Sequence, residues 1–192
     1  MKFLKMLGLA TVAAMALTAF TAGNASATAL EAGGVEQNGT VTIEMSLAAG
    51  ISMIIGRTDG SLANTCTTSN LAGDTETFTG TTVTGAVDSL SFSNCTRPVA
   101  VHKSGTLHIA HIAGTTDGTV TSSGAEITTG SPFGTLNCKT EAGVDIGRLT
   151  GTASGHATLD FSAVINCGFL MPSATWKGTY AVTSPTGLGV VA

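Results

Sequence analysis

The sequence predicts an all-β protein, a β-sandwich or barrel-like fold built from two duplicated, disulfide-stapled units. Three observations predict it. Short β-branched or alternating runs are punctuated by Gly, Asp and Ser, the pattern of small antiparallel strands. No stretch combines helical spacing with adequate helix formers, because Gly, Thr and Val are too dense. And one stretch occurs twice. It opens GSLANTC and closes SLSFSNCTRP in the first copy, and opens FGTLNC and closes FSAVINCGFLMP in the second, with cysteines 29 residues apart in both. Within the copies FTGTTVTG matches LTGTASG; beyond them Pro98 reaches Lys103 as Pro172 reaches Lys177, and GTLHI answers GTYAV.

Residues 1–27 read as a signal peptide. Lys2 and Lys5 precede the apolar run Met6 to Phe20, and Ala25-Ser26-Ala27 has the small residues of a cleavage site. The run is shorter than the ~20 residues of a spanning helix, and no cysteine sits near the site for a lipid anchor. Residues 28–37 form a small-residue arm expected to be mobile. Residues 38–116 are the first β repeat, and 117–192 the second with a C-terminal strand; one shared domain is compatible with this division.

Removing 27 of the 192 residues leaves 165, with six basic side chains against twelve acidic. No basic run survives to contact phosphates, which excludes nucleic acid as a partner. Charge is sparse, and Thr, Ser, Gly and Ala dominate. The apolar content is too high for disorder. No later segment is apolar enough to span a bilayer as a helix. A membrane β-barrel needs ~10-residue strands and aromatic girdles, against which one Trp and one Tyr in the whole chain argue.

Val41, Ile43 and Met45 alternate with Thr42 and Glu44 as in a strand, and Ile51 to Ile55 supply a second, ended by the turn Asp59-Gly60. Leu62 to Thr68, Thr77 to Thr84, Ser89 to Asn94, Val99 to Val101 and Thr106 to Ile112 continue the first repeat. Leu136 to Lys139, Arg148 to Thr152, Ala157 to Ile165 and Thr179 to Thr183 answer in the second. Gly189-Val190-Val191 resembles Gly39-Thr40-Val41 and Gly118-Thr119-Val120, the starts of the two units. That match would set the C-terminal strand beside repeat two as Gly118-Thr119-Val120 sits beside repeat one.

Four cysteines in an exported chain read as disulfides, with neither CxxC nor a Cys/His cluster present. Two pairings respect the duplication: Cys66–Cys95 with Cys138–Cys167, or Cys66–Cys138 with Cys95–Cys167. The former is expected, since a unit that duplicated carried its own staple.

Candidate chemistry is thin. Ser154, His156 and Asp160 lie within seven residues, but residues two apart on a strand splay in parallel, whereas a hydrolytic triad must converge; a solvated polar face is the better reading. His108 and His111 fall on opposite faces of a strand, so no metal site is expected. The aspartates suit turns better than calcium, since no DxDxDG spacing occurs. Trp176 and Tyr180 share strand parity and could stack on a sugar as a ligand site, although a lone Trp in a β protein more often plugs the core. No cofactor is expected.

The leader MKFLKMLGLATVAAMAL, with SLSFSNCTRP, GTLHIAHIAGTTDGTV, LTGTASGHATLDFSAVINCGFL and TYAVTSP, resembles a set of small exported bacterial β-rich proteins with paired cysteines, to which no activity attaches. In size, leader and paired-cysteine pattern there is a more distant likeness to secreted activators of alkane oxidation. The resemblance implies export and no catalytic residue.

Three functions are compatible with these features. The leading one is an exported non-enzymatic protein of the periplasm, cell surface or medium, acting by binding or coverage on an envelope partner. The second is an envelope subunit that self-associates by strand addition, with the arm as donor. The third is an exported hydrolase using Ser154, His156 and Asp160.

Overall fold

The computed structural model describes residues 27–77 and 80–192, and among them every regular element is a strand. The signal peptide expected at 1–27 lies, Ala27 apart, outside the described residues. After short strands β1 (Ala29–Ala32) and β2 (Val35–Glu36), the first repeat folds as β3 (Thr42–Leu47), β4 (Met53–Arg57), β5 (Asn64–Thr77), β6 (Val83–Cys95), β7 (Val99–Lys103) and β8 (Thr106–His111). The second supplies β9 (Gly118–Ser123), β10 (Glu126–Ser131), β11 (Gly134–Lys139), β12 (Val144–Thr150), β13 (Thr158–Ile165) and β14 (Ala174–Ser184), followed by β15 (Leu188–Val191). The repeats correspond strand by strand: β3 to β9, β4 to β10, β5 to β11 with β12, β6 to β13, and β7 with β8 to β14.

Antiparallel ladders run β3-β5-β6-β8-β9-β12-β13-β14, and β14 pairs back onto β3, so the sheet closes as a barrel. Closure leaves the ring no free edge. Period-2 alternation decides which side chains fill it. In β13, Leu159, Phe161, Ala163 and Ile165 are buried while Asp160, Ser162 and Val164 are exposed. Ile43, Met45, Leu71, Ile109, Val120, Leu149, Tyr180 and Val182 join the buried side. Outward positions include Glu44, Asn70, Thr119, Arg148, Asp160, Ser162 and Lys177; a lipid-facing barrel needs an apolar outer band instead. One bulge requires its glycine. Gly147 sits at the register shift in β12 with φ +130°, and a Cβ there would collide with the Asp160 carbonyl.

Past one end of the ring the long strands continue and the repeats exchange elements. β4, from the first repeat, lies between β5 and the start of β14, opposing Met53 to Cys66 and Ile55 to Trp176. β10, from the second, lies between β11 and β7, opposing Ile127 to both Cys138 and Val101. Buried Asn64 ties the β11-β10-β7 sheet down: its amide donates to Thr129 Oγ1 and the Arg97 carbonyl, both at 2.9 Å, and its carbonyl accepts from the Arg97 N–H at 2.9 Å. The two repeats are therefore halves of one interlocked structure.

The disulfides join Cys66 to Cys95 and Cys138 to Cys167, each within its repeat. Their settings differ. Cys66 and Cys95 face each other in a continuous β5–β6 ladder. Beside Cys138–Cys167, β11 has peeled away from β13, and the backbones meet only through the reciprocal Lys139–Asn166 bonds of 2.9 and 3.0 Å. A seam results.

Three expectations are corrected. The arm expected to be mobile is held: β1 pairs with β15 and β2, Leu30 is wholly buried, and Thr28 bonds to the Gly80 and Thr81 carbonyls. An apolar side chain in a small-residue run was enough to dock it. The C-terminal strand β15 pairs with β1 rather than β14, whose flank is occupied by β3; circular closure already fills that place. Leu62 to Thr68 and Ser89 to Asn94 belong to strands that run on through Gly73 and Gly85, and Thr77 opposes Thr84 across a hairpin rather than sharing a strand with it. One extra residue in each strand, Asp88 in β6 and that between Thr75 and Thr77 in β5, lets the ladder run on past both glycines.

Candidate functional site

The barrel interior is full. Two small cavities among its buried side chains measure about 30 and 20 Å³, room for a water molecule or two but not for an organic ligand. Phe92, Phe161, Trp176 and Tyr180 occupy the space where the ring opens toward its extension, the Phe161 and Trp176 rings being 4.9 Å apart. Trp176 and Tyr180, the pair considered as a sugar platform, are 4% and 1% exposed. They are core residues, because the inward parity they share with Val182 turns both rings into the barrel. The Tyr180 hydroxyl is 2.7 Å from the hydroxyl of buried Ser69, and burial pushes its pKa up to about 12, the Ser69 hydrogen bond acting weakly the other way. A phenol so buried stays protonated and structural.

The remaining candidates are separately engaged. His156 Nδ1 lies 2.7 Å from the Val182 carbonyl, Asp160 accepts the Thr179 hydroxyl at 3.0 Å, and the Ser154 N–H bonds to Thr152 Oγ1 at 3.3 Å. No hydrogen bond links any two of Ser154, His156 and Asp160 among the described residues, so the geometry lacks the nucleophile–base contact that general-base catalysis needs. His108 Nδ1 meets Thr84 Oγ1 at 3.0 Å, and His111 Nε2 meets the Thr115 carbonyl at 2.8 Å. Among the described residues no three of His, Cys, Asp and Glu gather as a metal-holding group. Asp59 caps its own turn, accepting from the Ser61 hydroxyl and N–H, and Asp145 does likewise for Gly147.

Open clefts lie on the outer surface: one of about 320 Å³ beside Ser52, Ile54, Asp160, Ser162, Lys177 and Thr179, and two around the seam. A cleft of about 400 Å³ at the seam is lined by His102, Glu126, Asn137, Lys139, Asn166 and Gly168 together with Ile127 and Cys138. Strand parity supplies its polar side chains, the outward neighbours Glu126, Asn137 and Lys139 of inward-turned Ile127, Leu136 and Cys138. Lys103 pairs with Glu126 at 2.7 Å and holds its carboxyl below the ordinary range, so Glu126 stays ionised. Lys139 enters no ion pair among the described residues. From Gly168 the chain turns through Phe169 and Leu170, 98% and 42% exposed, to buried Met171. Arg57 Nη2 donates to the Leu170 carbonyl at 3.0 Å, and a second cleft of about 350 Å³ begins there, lined by Arg57, Thr58, Asp59, Met171, Pro172 and Ser173.

No protein-family model, curated protein or solved structure matches this chain. The site therefore rests on its own geometry. Sequence reading missed it because its residues come from β4 and the turn after it, β7, β10, β11 and the 166–173 loop; the one local signal was the apolar run Cys-Gly-Phe-Leu-Met-Pro closing the second repeat.

Proposed function

We propose that this is an exported, non-enzymatic protein of the cell surface or envelope that acts by binding or coverage. The observation that carries it is a barrel packed with side chains, with no hydrogen bond linking any two of Ser154, His156 and Asp160 among the described residues. A packed barrel offers its outer surface for work. Two disulfides suit an oxidising compartment outside the cytoplasm, and the leader of residues 1–27 supplies the route. Purified protein is tested on broad panels of ester, peptide and glycoside substrates. No turnover is expected; turnover abolished by Ser154→Ala or His156→Ala reinstates the hydrolase. Self-association by strand addition is a second reading. It is supported by the stretch of β6 from Asp88 to Asn94, which ladders to β5 on one side only, its β8 pairing ending at Ala86. The donor would have to be a segment other than Thr28 to Asn38, most of which is tied into its own sheet. Size-exclusion chromatography decides between a monomer and an assembly.

A further inference from the structure

We infer that two copies of this chain pair through β6, strand to strand, about a two-fold axis centred on Ser91. This names the partner of the strand-addition reading and rests on it.

The duplication itself marks the place. β6 and β13 are counterparts, and β7 with β8 corresponds to β14. Along β13, β14 covers one flank all the way from Thr158 to Ile165. Along β6, β8 covers that flank only from Val83 to Ala86, because β7 leaves to pair with β10. From Asp88 to Asn94 the strand therefore ladders to β5 alone, and no other backbone hydrogen bond reaches this stretch among the described residues.

A row of unpaired N–H and C=O groups on a sheet edge is a template for another strand, and edges are ordinarily blunted by lysine, proline or a bulge. Ser89 to Asn94 contains none of these; the bulge residue Asp88 only marks where the open stretch begins. Ser89, Ser91 and Ser93 are exposed and small, so they leave the approach clear. Phe92 is half-buried, with its ring 5.5 Å from that of Trp176. A strand laid along the edge would cover more of that ring, an apolar gain.

The sequence of the edge selects the occupant. Turned antiparallel on itself about Ser91, the stretch sets Ser89 opposite Ser93 and Leu90 opposite Phe92. Serines then meet serines on the outer face, and the apolar pair recurs in both halves of the inner face, the cross-strand matches that stabilise a sheet. The stretch has one charge, Asp88 at its end, which falls toward Asn94 of the other copy and not toward its own twin. No like charges meet. Such a contact uses the same patch on both copies and closes at two.

The test is light scattering on the full chain, with both disulfides formed, across a dilution series. A dimer that dissociates on dilution is expected. Ser91→Lys sets two ammonium groups against each other at the axis and should raise the dissociation constant at least about tenfold. Ser91 is exposed, so unchanged thermal unfolding is expected and checks that the variant is folded. Ser91→Cys should cross-link two copies under mild oxidation, because position 91 opposes itself. Ser93→Cys opposes Ser89 and should stay largely uncross-linked. A parent chain that is monomeric up to about 1 mM overturns both this inference and the self-association reading, and leaves binding or coverage standing. A dimer indifferent to Ser91→Lys, or one that cross-links no better through position 91 than through 93, overturns this inference alone.

Discussion

At the scale of single residues, Tyr180 is the best probe of the core, because it is the chain's one tyrosine. Its pKa near 12 predicts that phenolate absorbance in the folded protein appears far above the ordinary value of about 10. The sign follows from linkage. Burial favours the neutral phenol, so the stability it contributes is intact below pH ~10 and is lost as pH rises through the folded value near 12. Folded protein titrating near pH 10 would mean that the ring is not buried. Tyr180→Phe should destabilise by about 1–2 kcal/mol in denaturant unfolding, since it strands the hydroxyl of Ser69 in the core. Asp117 acts in the opposite pH range. The Arg148 guanidinium first, and the Gly151 N–H second, hold its pKa below the ordinary value. Its contribution is present above pH ~4 and fades as pH falls through that lowered value. Melting temperatures of the parent and Asp117→Asn should therefore differ at neutral pH and converge toward pH 2; a constant gap would refute the assignment.

At the scale of elements, equal cysteine spacing conceals unequal work. In the chain-entropy picture two closures of equal length contribute equally, about 3–4 kcal/mol each. The surrounding strands differ, however. β5 and β6 are zipped by a long ladder with or without Cys66–Cys95, whereas β11 is held to β13 by Cys138–Cys167 and one backbone bridge. Replacing Cys138 and Cys167 with serine should therefore speed amide exchange along Leu136 to Lys139, while the matching Cys66 and Cys95 change leaves Thr68 to Leu71 protected. Equal protection in the two variants would mean that the seam is held by something else. The same contrast marks how far the elements were legible. Val99 to Val101, Thr106 to Ile112 and Ala157 to Ile165 read correctly because alternation or β-branching was unbroken. β5 did not, because Gly73 and Asp74 interrupt its β-branched run, whereas the ladder continues past them with one extra residue between Thr75 and Thr77. The candidate clefts were illegible for a different reason: they are assembled by strand exchange, which leaves no local periodicity.

At the scale of the molecule, the duplication was visible in the cysteine spacing and the repeated Pro-to-Lys step, but its consequence was not. Matching motifs suggest two units side by side; the ladders instead pass each unit's first and last ring strands to the other, β8 to β9 and β14 to β3, and swap β4 and β10 across the divide. Residues 38–116 expressed alone would expose the edges of β3, β7 and β8 and lose the β14 neighbour of β4, and should show neither cooperative unfolding nor a protected core. Order along the chain, by contrast, should be dispensable. Ala29 opposes Val191 in the β1–β15 ladder, so the two ends of the described chain lie together, and residues 113–116 between the repeats are exposed. A permutant that begins at Gly114, runs to Ala192, passes through a short Gly-Ser linker to Thr28 and ends at Ala113 keeps every ladder and both disulfides. It should unfold in one cooperative transition, less stable than the parent by about 1–3 kcal/mol for the opened loop and the added linker. A permutant that fails to fold, while the isolated first repeat folds cooperatively, would show that the units are separate domains and that the exchanged ladders do not hold them together.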